Sequence, residues 1–325
     1  MKTLKTFLSK KNILSIHDIS SEEILSILKL ASNLKTELKN TSNNSGGSKR
    51  KPKHLLKGKV IGMLFQKPST RTRVSFEAGI FQLGGNAIYL DDKDIQLSRG
   101  ESIEDTARTL SLYLNCIIAR VYDHADLQTL AKFASIPIIN GLSDAFHPCQ
   151  ILADLLTVQE CKRKLKGLNI GWIGDGNNVC NDLLLGCAKT GINITVACPQ
   201  GYEPLKEVTR LAREEGENTG AKITITEDPI LAAKGADALV TDTFISIGKD
   251  EEKATRQIAF LPRYQVTSDL MKLAKRDAIF MHCLPARRGQ EVTSEVIDGK
   301  ASVVWKEAEN RLHVQKALMH MLIKN

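Results

Sequence analysis

Two doubly wound parallel-sheet α/β domains, joined by interdomain helices, are what this sequence predicts. Three observations carry that reading. The 325 residues exceed one ordinary core and suit two domains of about 150 residues each. Short apolar runs alternate along the chain with helical patterns, which implies parallel sheets covered by helices on both faces. The polar motifs able to do chemistry sit just past the apolar runs, at the strand ends where such sheets bind ligands.

In chain order, residues 20–38 read as an amphipathic helix. Residues 40–53 are polar and rich in Gly and Ser, and read as a mobile surface loop. Val60–Phe65, Ala87–Leu90, Cys116–Val121 and Ile136–Ile139 read as buried strands of a first sheet. Ile170–Ile173, Ile194–Cys198, Ile223–Thr226, Ala238–Thr243 and Ala278–His282 read as strands of a second. Helical patterns cover residues 73–83, 104–114, 150–161, 181–189 and 204–215, and a final helix opens at Glu309. The helix at 149–161 is the natural bridge. The expected domains are therefore 1–148, with a C-terminal helix 308–325 packing back on it, and 149–307.

Composition removes several function classes. Apolar residues make up 42% of the chain, enough for two cores. No run approaches the roughly 20 apolar residues of a membrane span. The opening Met1-Lys2-Thr3-Leu4-Lys5 lacks an apolar stretch, and the first arginine is Arg50, so neither a signal nor a transit peptide is expected, and a cytoplasmic protein is. Seven cysteines, an odd number without a Cys-x-x-Cys pair, fit reduced thiols rather than a disulfide frame or a zinc site. The net charge of +8 is concentrated between Leu38 and Phe76, which hold ten basic residues and no Asp or Glu. With only Phe65 and Phe76 as aromatics, both in core positions, that stretch does not read as a nucleic-acid face.

Five constellations carry chemistry. In Gln66-Lys67-Pro68-Ser69-Thr70-Arg71-Thr72-Arg73 a strand ends, Pro68 turns the chain, and Ser69 or Thr70 can cap the next helix. Backbone amides at a helix start, two hydroxyls and two guanidinium groups suit a phosphate dianion. His147-Pro148-Cys149-Gln150 is a strand-to-helix turn with Pro at the first helical position. A histidine there can polarise a carbonyl or donate to phosphate, and Gln150 can accept from an amide NH2; alone, such a turn is also an ordinary cap. Gly174-Asp175-Gly176-Asn177-Asn178-Val179 is like a dinucleotide loop whose third glycine is replaced by Val179. That argues against a nucleotide-dependent dehydrogenase, and the two amides suit a zwitterion's carboxylate. Asp242-Thr243-Phe244-Ile245-Ser246-Ile247-Gly248 puts a carboxylate at the end of a buried strand. Unpaired, it would be costly, and a bound ammonium would satisfy it. In His282-Cys283-Leu284-Pro285 the cysteine can be a nucleophile. Adjacent strand residues point to opposite faces, so no paired base is implied, and the reading favours a binding thiol. Glu309-Asn310-Arg311 can send a further cation to the site.

These motifs, in this order and spacing, resemble the ornithine carbamoyltransferases from about residue 10 to the end. Ser-Thr-Arg-Thr-Arg and His-Pro-x-Gln mark the wider carbamoyltransferase family, while Asp-x-x-x-Ser and His-Cys-Leu-Pro look like its ornithine branch. The resemblance implies transfer of a carbamoyl group from carbamoyl phosphate to ornithine, with no cofactor and no metal. It implies carbamoyl phosphate held by Ser69, Thr70, Arg71, Thr72, Arg120, His147, Gln150, Cys283, Leu284 and Arg311. It implies that Gln96 reaches the site of a neighbouring subunit in a homotrimer or a multiple of trimers. It implies ornithine held by Asn178, Asp242, Ser246 and Ile247, with Cys283 near its side-chain amine. Arg71, Arg120, His147 and Cys283 are then the catalytic candidates, and neither nucleic acid nor membrane is a partner. Two departures stand out: Ile247 occupies the place of the family's usual Met, and the 40–53 stretch is longer than the family leads one to expect. N-acetylornithine or putrescine are the alternative acceptors.

Overall fold

The computed structural model describes residues 7–43, 54–245 and 250–323. The chain divides into two compact units, 1–156 with 309–325, and 157–308.

The first unit holds α1 (Ser21–Asn43), β1 (Val60–Phe65), α2 (Thr70–Gln82), β2 (Asn86–Asp91), α3 (Ile103–Tyr113), β3 (Cys116–Arg120), α4 (His124–Phe133) and β4 (Ile138–Leu142). Its four parallel strands run in the order β2-β1-β3-β4. β1 and β3 are buried almost throughout, as central strands covered on both faces must be, whereas no residue of edge strand β2 is buried. One core cluster joins Leu64, Ile117, Ala119 and Ile138 from the sheet to Leu127 and Leu130 of α4.

Next come α5 (Pro148–Lys162), β5 (Asn169–Ile173), α6 (Asn178–Thr190), β6 (Asn193–Ala197), α7 (Lys206–Thr219), β7 (Ile223–Thr226), α8 (Pro229–Ala233) and β8 (Ala238–Thr241). After them run α9 (Lys253–Phe260), α10 (Ser268–Leu273), β9 (Ile279–His282), α11 (Ser294–Ile297) and α12 (Val304–Leu322). The second sheet is also all parallel, in the order β7-β6-β5-β8-β9. The expected fold class is therefore what the chain adopts. α5 starts in the first unit and ends in the second, and α12 does the reverse, so two helices carry the chain between units.

Three local expectations are corrected. α1 runs to Asn43 rather than ending near residue 38, since nothing before Gly46 interrupts it; the rest of the expected loop, 44–53, lies outside the described residues. β4 starts at Ile138, not Ile136, because Pro137 has no N–H to give the ladder. The final helix opens at Val304 rather than Glu309, so Arg311 sits well inside it. Among the described residues no helix is long and apolar enough to cross a membrane.

Candidate active site

Each sheet has one point where strand order reverses. In the first unit it lies between β1 and β3, and in the second between β5 and β8. Open parallel sheets bind ligands in the crevice beyond the carboxyl ends at such points. Ser69–Arg73 follows β1 and Arg120 ends β3; Gly174–Asn178 follows β5 and Asp242 follows β8.

In the first unit Ser69 is the N-cap of α2, and its hydroxyl accepts from the Thr72 amide at 3.2 Å. Thr72, Phe76, Gly79 and Ile80 form the buried face of that helix. Thr72 thus faces inward, where its Oγ1 accepts from Arg311 Nη2 at 3.0 Å. The other arm, Arg311 Nη1, donates to Gln150 Oε1 at 2.6 Å. Gln150 Nε2 donates to Asp154 Oδ1 at 2.8 Å, one turn further along α5, which fixes the amide so that its oxygen faces the guanidinium. That oxygen, expected to accept from a ligand amide, accepts from Arg311.

His147 and Arg120 are both buried beside this set. Burial holds the His147 imidazole well below its ordinary pKa, and Arg311, Arg120 and Arg71 push the same way, so the ring is neutral at pH 7. A neutral ring surrounded by cations can donate N–H to an oxygen that gains negative charge. Arg73 does not join the cluster. Two residues on from Arg71, it points about 200° away around the helix, pairs with Glu77 at 3.1 Å and stacks 3.7 Å from the Tyr89 ring centroid. Thr70 is exposed at the helix start. Gln96 is exposed in a 3-10 turn, Gln96–Arg99, and among the described residues its side chain makes no hydrogen bond to the cluster. Lys67, part of the first motif but not among the expected ligands, is a buried cation just past β1, its Nζ 4.4 Å from the Tyr122 ring centroid.

In the second unit Asp242 is buried and fully engaged. Its Oδ1 accepts from Cys283 Sγ at 3.1 Å and from the Thr243 amide at 2.7 Å, and its Oδ2 accepts from Asn177 Nδ2 at 2.8 Å. Two expectations change. The carboxylate is paired, although by neutral donors that leave its charge available to an ammonium. Cys283 does have an acidic partner, supplied by the neighbouring strand end rather than by the adjacent residue. Asn177 also caps α6, accepting from the Val179 and Cys180 amides, and Asn178 Oδ1 accepts from the Val179 amide at 3.1 Å. Gly176 is needed because a Cβ there would lie 2.2 Å from Pro204 N. The loop's second glycine thus answers to packing rather than to a pyrophosphate. Ser246 and Ile247, with Gly248, lie outside the described residues.

The turn at Cys283–Pro285 is held firmly. Leu284 has φ +58°, a left-handed conformation that costs a non-glycine residue about 1 kcal/mol. Its amide donates to His282 Nδ1 at 2.8 Å, while His282 Nε2 lies 3.3 Å from Glu291 Oε1 and the His282 amide donates to Glu307. Asp242, His282 and Cys283 place an oxygen, a nitrogen and a sulfur within 4.8 Å of one another, a conceivable metal-binding set. Both imidazole nitrogens already have protein partners, so a metal would have to break one of those bonds.

Two family models match the chain: the carbamoyl-phosphate-binding domain of aspartate/ornithine carbamoyltransferases over residues 11–160, and their Asp/Orn-binding domain over residues 166–322. The ornithine carbamoyltransferase of Cenarchaeum symbiosum is 55% identical over 309 residues, 95% of this chain and 97% of that protein. The Bacillus subtilis protein of the same name is 48% identical over 98% of this chain and 96% of its own. Among solved structures, the Pyrococcus furiosus ornithine carbamoyltransferase superposes with a TM-score of 0.91 at 47% identity, covering 99% of each chain. The anabolic enzyme of Campylobacter jejuni does so at 0.88 and 39%, covering 96% of this chain and 99% of its own.

Proposed function

The chain belongs to the aspartate/ornithine carbamoyltransferase family, and from that premise we propose that it transfers the carbamoyl group of carbamoyl phosphate to the δ-amine of L-ornithine, giving L-citrulline and phosphate. The observation that carries the donor half is Arg311, forked between Thr72 and Gln150 beside a neutral, buried His147.

Carbamoyl phosphate is held by Ser69, Thr70, Arg71, Thr72, Arg120, His147, Gln150, Arg311 and the Cys283–Leu284 turn. Ornithine is held by Asn178 at its carboxylate and by Asp242 and Ser246 at its α-ammonium, with Ile247 alongside and Cys283 near the δ-amine. The amine nitrogen attacks the carbamoyl carbon, a C–N bond forms, the bond to phosphate oxygen breaks, and the amine loses a proton. Arg71, Arg120, Thr72 and the His147 N–H carry the charge that grows on the carbamoyl oxygen and the leaving phosphate. An amine with a pKa of ~10.4 is roughly one part in 2,500 neutral at pH 7. Neighbouring guanidinium groups favour the neutral form by like-charge repulsion.

The reading extends to a cytoplasmic enzyme of arginine biosynthesis, since carbamoyl phosphate is the reactive partner and its breakdown drives synthesis. It also extends to a homotrimer, or a multiple of trimers, in which Gln96 completes a neighbour's site. Exposed apolar side chains on α2 (Val74, Phe81), on edge strand β2 (Ile88) and at the end of α3 (Leu112, Tyr113) support self-association.

The test is citrulline formation from carbamoyl phosphate with ornithine, set against N-acetylornithine and putrescine. Ornithine is expected to lead by at least two orders of magnitude in kcat/KM. Preference for either competitor would move the acceptor assignment, and no turnover of any amine would sink the proposal.

A further inference from the structure

Arg256 stands outside every residue assigned so far. It lies in α9 at 3% exposure. Its Nη1 donates to Asp175 Oδ2 at 2.7 Å and to the main-chain carbonyl of Phe244 at 3.1 Å, and its Nε donates to Glu252 Oε2 at 2.7 Å. Its guanidinium carbon lies 5.0 Å from the Tyr202 ring centroid. Burial opposes the charge, but Asp175 and Glu252 more than offset it, so the guanidinium is held above its ordinary pKa.

A buried ion pair of this kind is weak evidence for stability, because removing two charges from water costs about as much as their attraction returns. Its value here is geometric. Asp175 sits in the loop after β5, two residues before Asn177, which donates to Asp242, and three before Asn178, which opens α6. Phe244 follows Asp242 by two residues on the loop after β8. One guanidinium therefore ties together the two loops that flank the strand-order reversal of the second sheet. The packing side of α9 is handled separately: Phe260 stacks on Phe244 with centroids 4.6 Å apart.

We infer that Arg256 is a positioning residue for the amino-acid substrate, setting the spacing between the Asn177–Asn178 loop and the Asp242–Phe244 segment and through it the affinity for ornithine. The inference rests on the ornithine assignment of Asn178 and Asp242. Arg256 itself touches no reacting atom. A lysine in its place can reach Asp175 but cannot fork to the Phe244 carbonyl and Glu252 together.

Arg256→Gln and Arg256→Lys in the full chain, assayed by citrulline formation, test it. Ornithine is varied at saturating carbamoyl phosphate, then carbamoyl phosphate at saturating ornithine. Arg256→Gln is expected to raise the KM for ornithine at least tenfold while the KM for carbamoyl phosphate stays within twofold, and Arg256→Lys to recover part of the loss. An unchanged ornithine KM overturns the inference. So does a fall in kcat with neither KM moved, or a parallel rise in both, which is what a general structural defect produces. If Arg256→Gln does not fold, Asp175→Asn keeps the side-chain size and removes the partner charge. It is expected to give the same one-sided rise, and its absence in folded protein overturns the inference equally. Wild-type protein that makes no citrulline contradicts the ornithine assignment itself, an outcome distinct from active wild type with unaffected variants.

Discussion

Replacing Arg311 with methionine is the most searching perturbation of the donor half. Arg311 is 4% exposed, and its guanidinium holds Thr72 and Gln150 by one arm each. A hydrogen bond to a charged group contributes about 1.5–3 kcal/mol. On the proposed assignment, losing one such bond to the phosphate, together with the hold on Thr72 and Gln150 at ~1 kcal/mol each, removes about 3.5–5 kcal/mol of transition-state binding. That is roughly 10²- to 10⁴-fold in kcat/KM for carbamoyl phosphate. Methionine fills similar volume but takes the Arg311 donor from Thr72 Oγ1 and Gln150 Oε1, a cost of about 1–3 kcal/mol each, so circular dichroism is recorded first and kinetics are read on the folded variant. Arg311→Lys keeps the charge without the fork and is expected to fall between. A second signature follows from the electrostatics. After burial itself, Arg311 is the largest influence holding the His147 pKa down. Wild-type activity should rise with pH as the substrate amine deprotonates, with no limb from His147 above pH ~6. In Arg311→Met the imidazole pKa rises and an acid limb moves towards that range. Steady-state kinetics with carbamoyl phosphate varied, repeated across pH, reads both. A folded Arg311→Met protein within threefold of wild-type kcat/KM would refute the reasoning.

Two further outcomes are expected. Cys283→Ser keeps a donor to Asp242 in place of the thiol 3.1 Å away, so the KM for ornithine should rise several-fold with turnover still measurable. Complete loss with unchanged ornithine affinity would instead assign the thiol to bond making or proton transfer. His313 is pushed down to about 4 by burial, with Lys316 and Lys35 adding to it. Above pH ~6.5 the ring is neutral in both folded and unfolded chain. As pH falls from there to about 4 only the unfolded chain takes up the proton, and up to about 3 kcal/mol of stability is lost. In His313→Gln, urea midpoints measured at pH 7 and pH 5 should differ by less than in wild type. An equal difference would remove His313 from the account.

Much of the frame was legible in the sequence because local chemistry settled it. Val60–Phe65 is apolar throughout and closed off by Pro68, so its bounds coincide with β1. The cap was narrowed to Ser69 or Thr70, and Ser69 makes it. Where the reading slipped, a backbone detail was responsible, as with Pro137 at the start of β4. α4 carried a usable signal in Asp123, whose side chain accepts from the Ala125 amide, and in the spacing of Leu127, Leu130 and Ala131. The pairings of the second unit were not legible. Asp242 meets Asn177 across 65 residues of chain, and Arg256 meets Asp175 across 81. Only the order of strands in the sheet brings them together, and one sequence does not state that order. The same holds for Cys283, whose acidic partner sits on the adjacent strand end.

The two strand-order reversals described above have a consequence for how such a protein can change over time. The proposed assignment gives the acceptor to the loops after β5 and β8, and all donor contacts except the Cys283–Leu284 turn to the first unit. On the proposed assignment, substitutions after β5 and β8 can alter which amine is accepted while Ser69, Thr72, Gln150 and Arg311 stay as they are. The donor chemistry is the part that is hard to reinvent, and apart from Cys283 its assigned residues differ from those assigned to the acceptor. Ile247, in place of the family's usual methionine, belongs to the acceptor set in the proposed assignment.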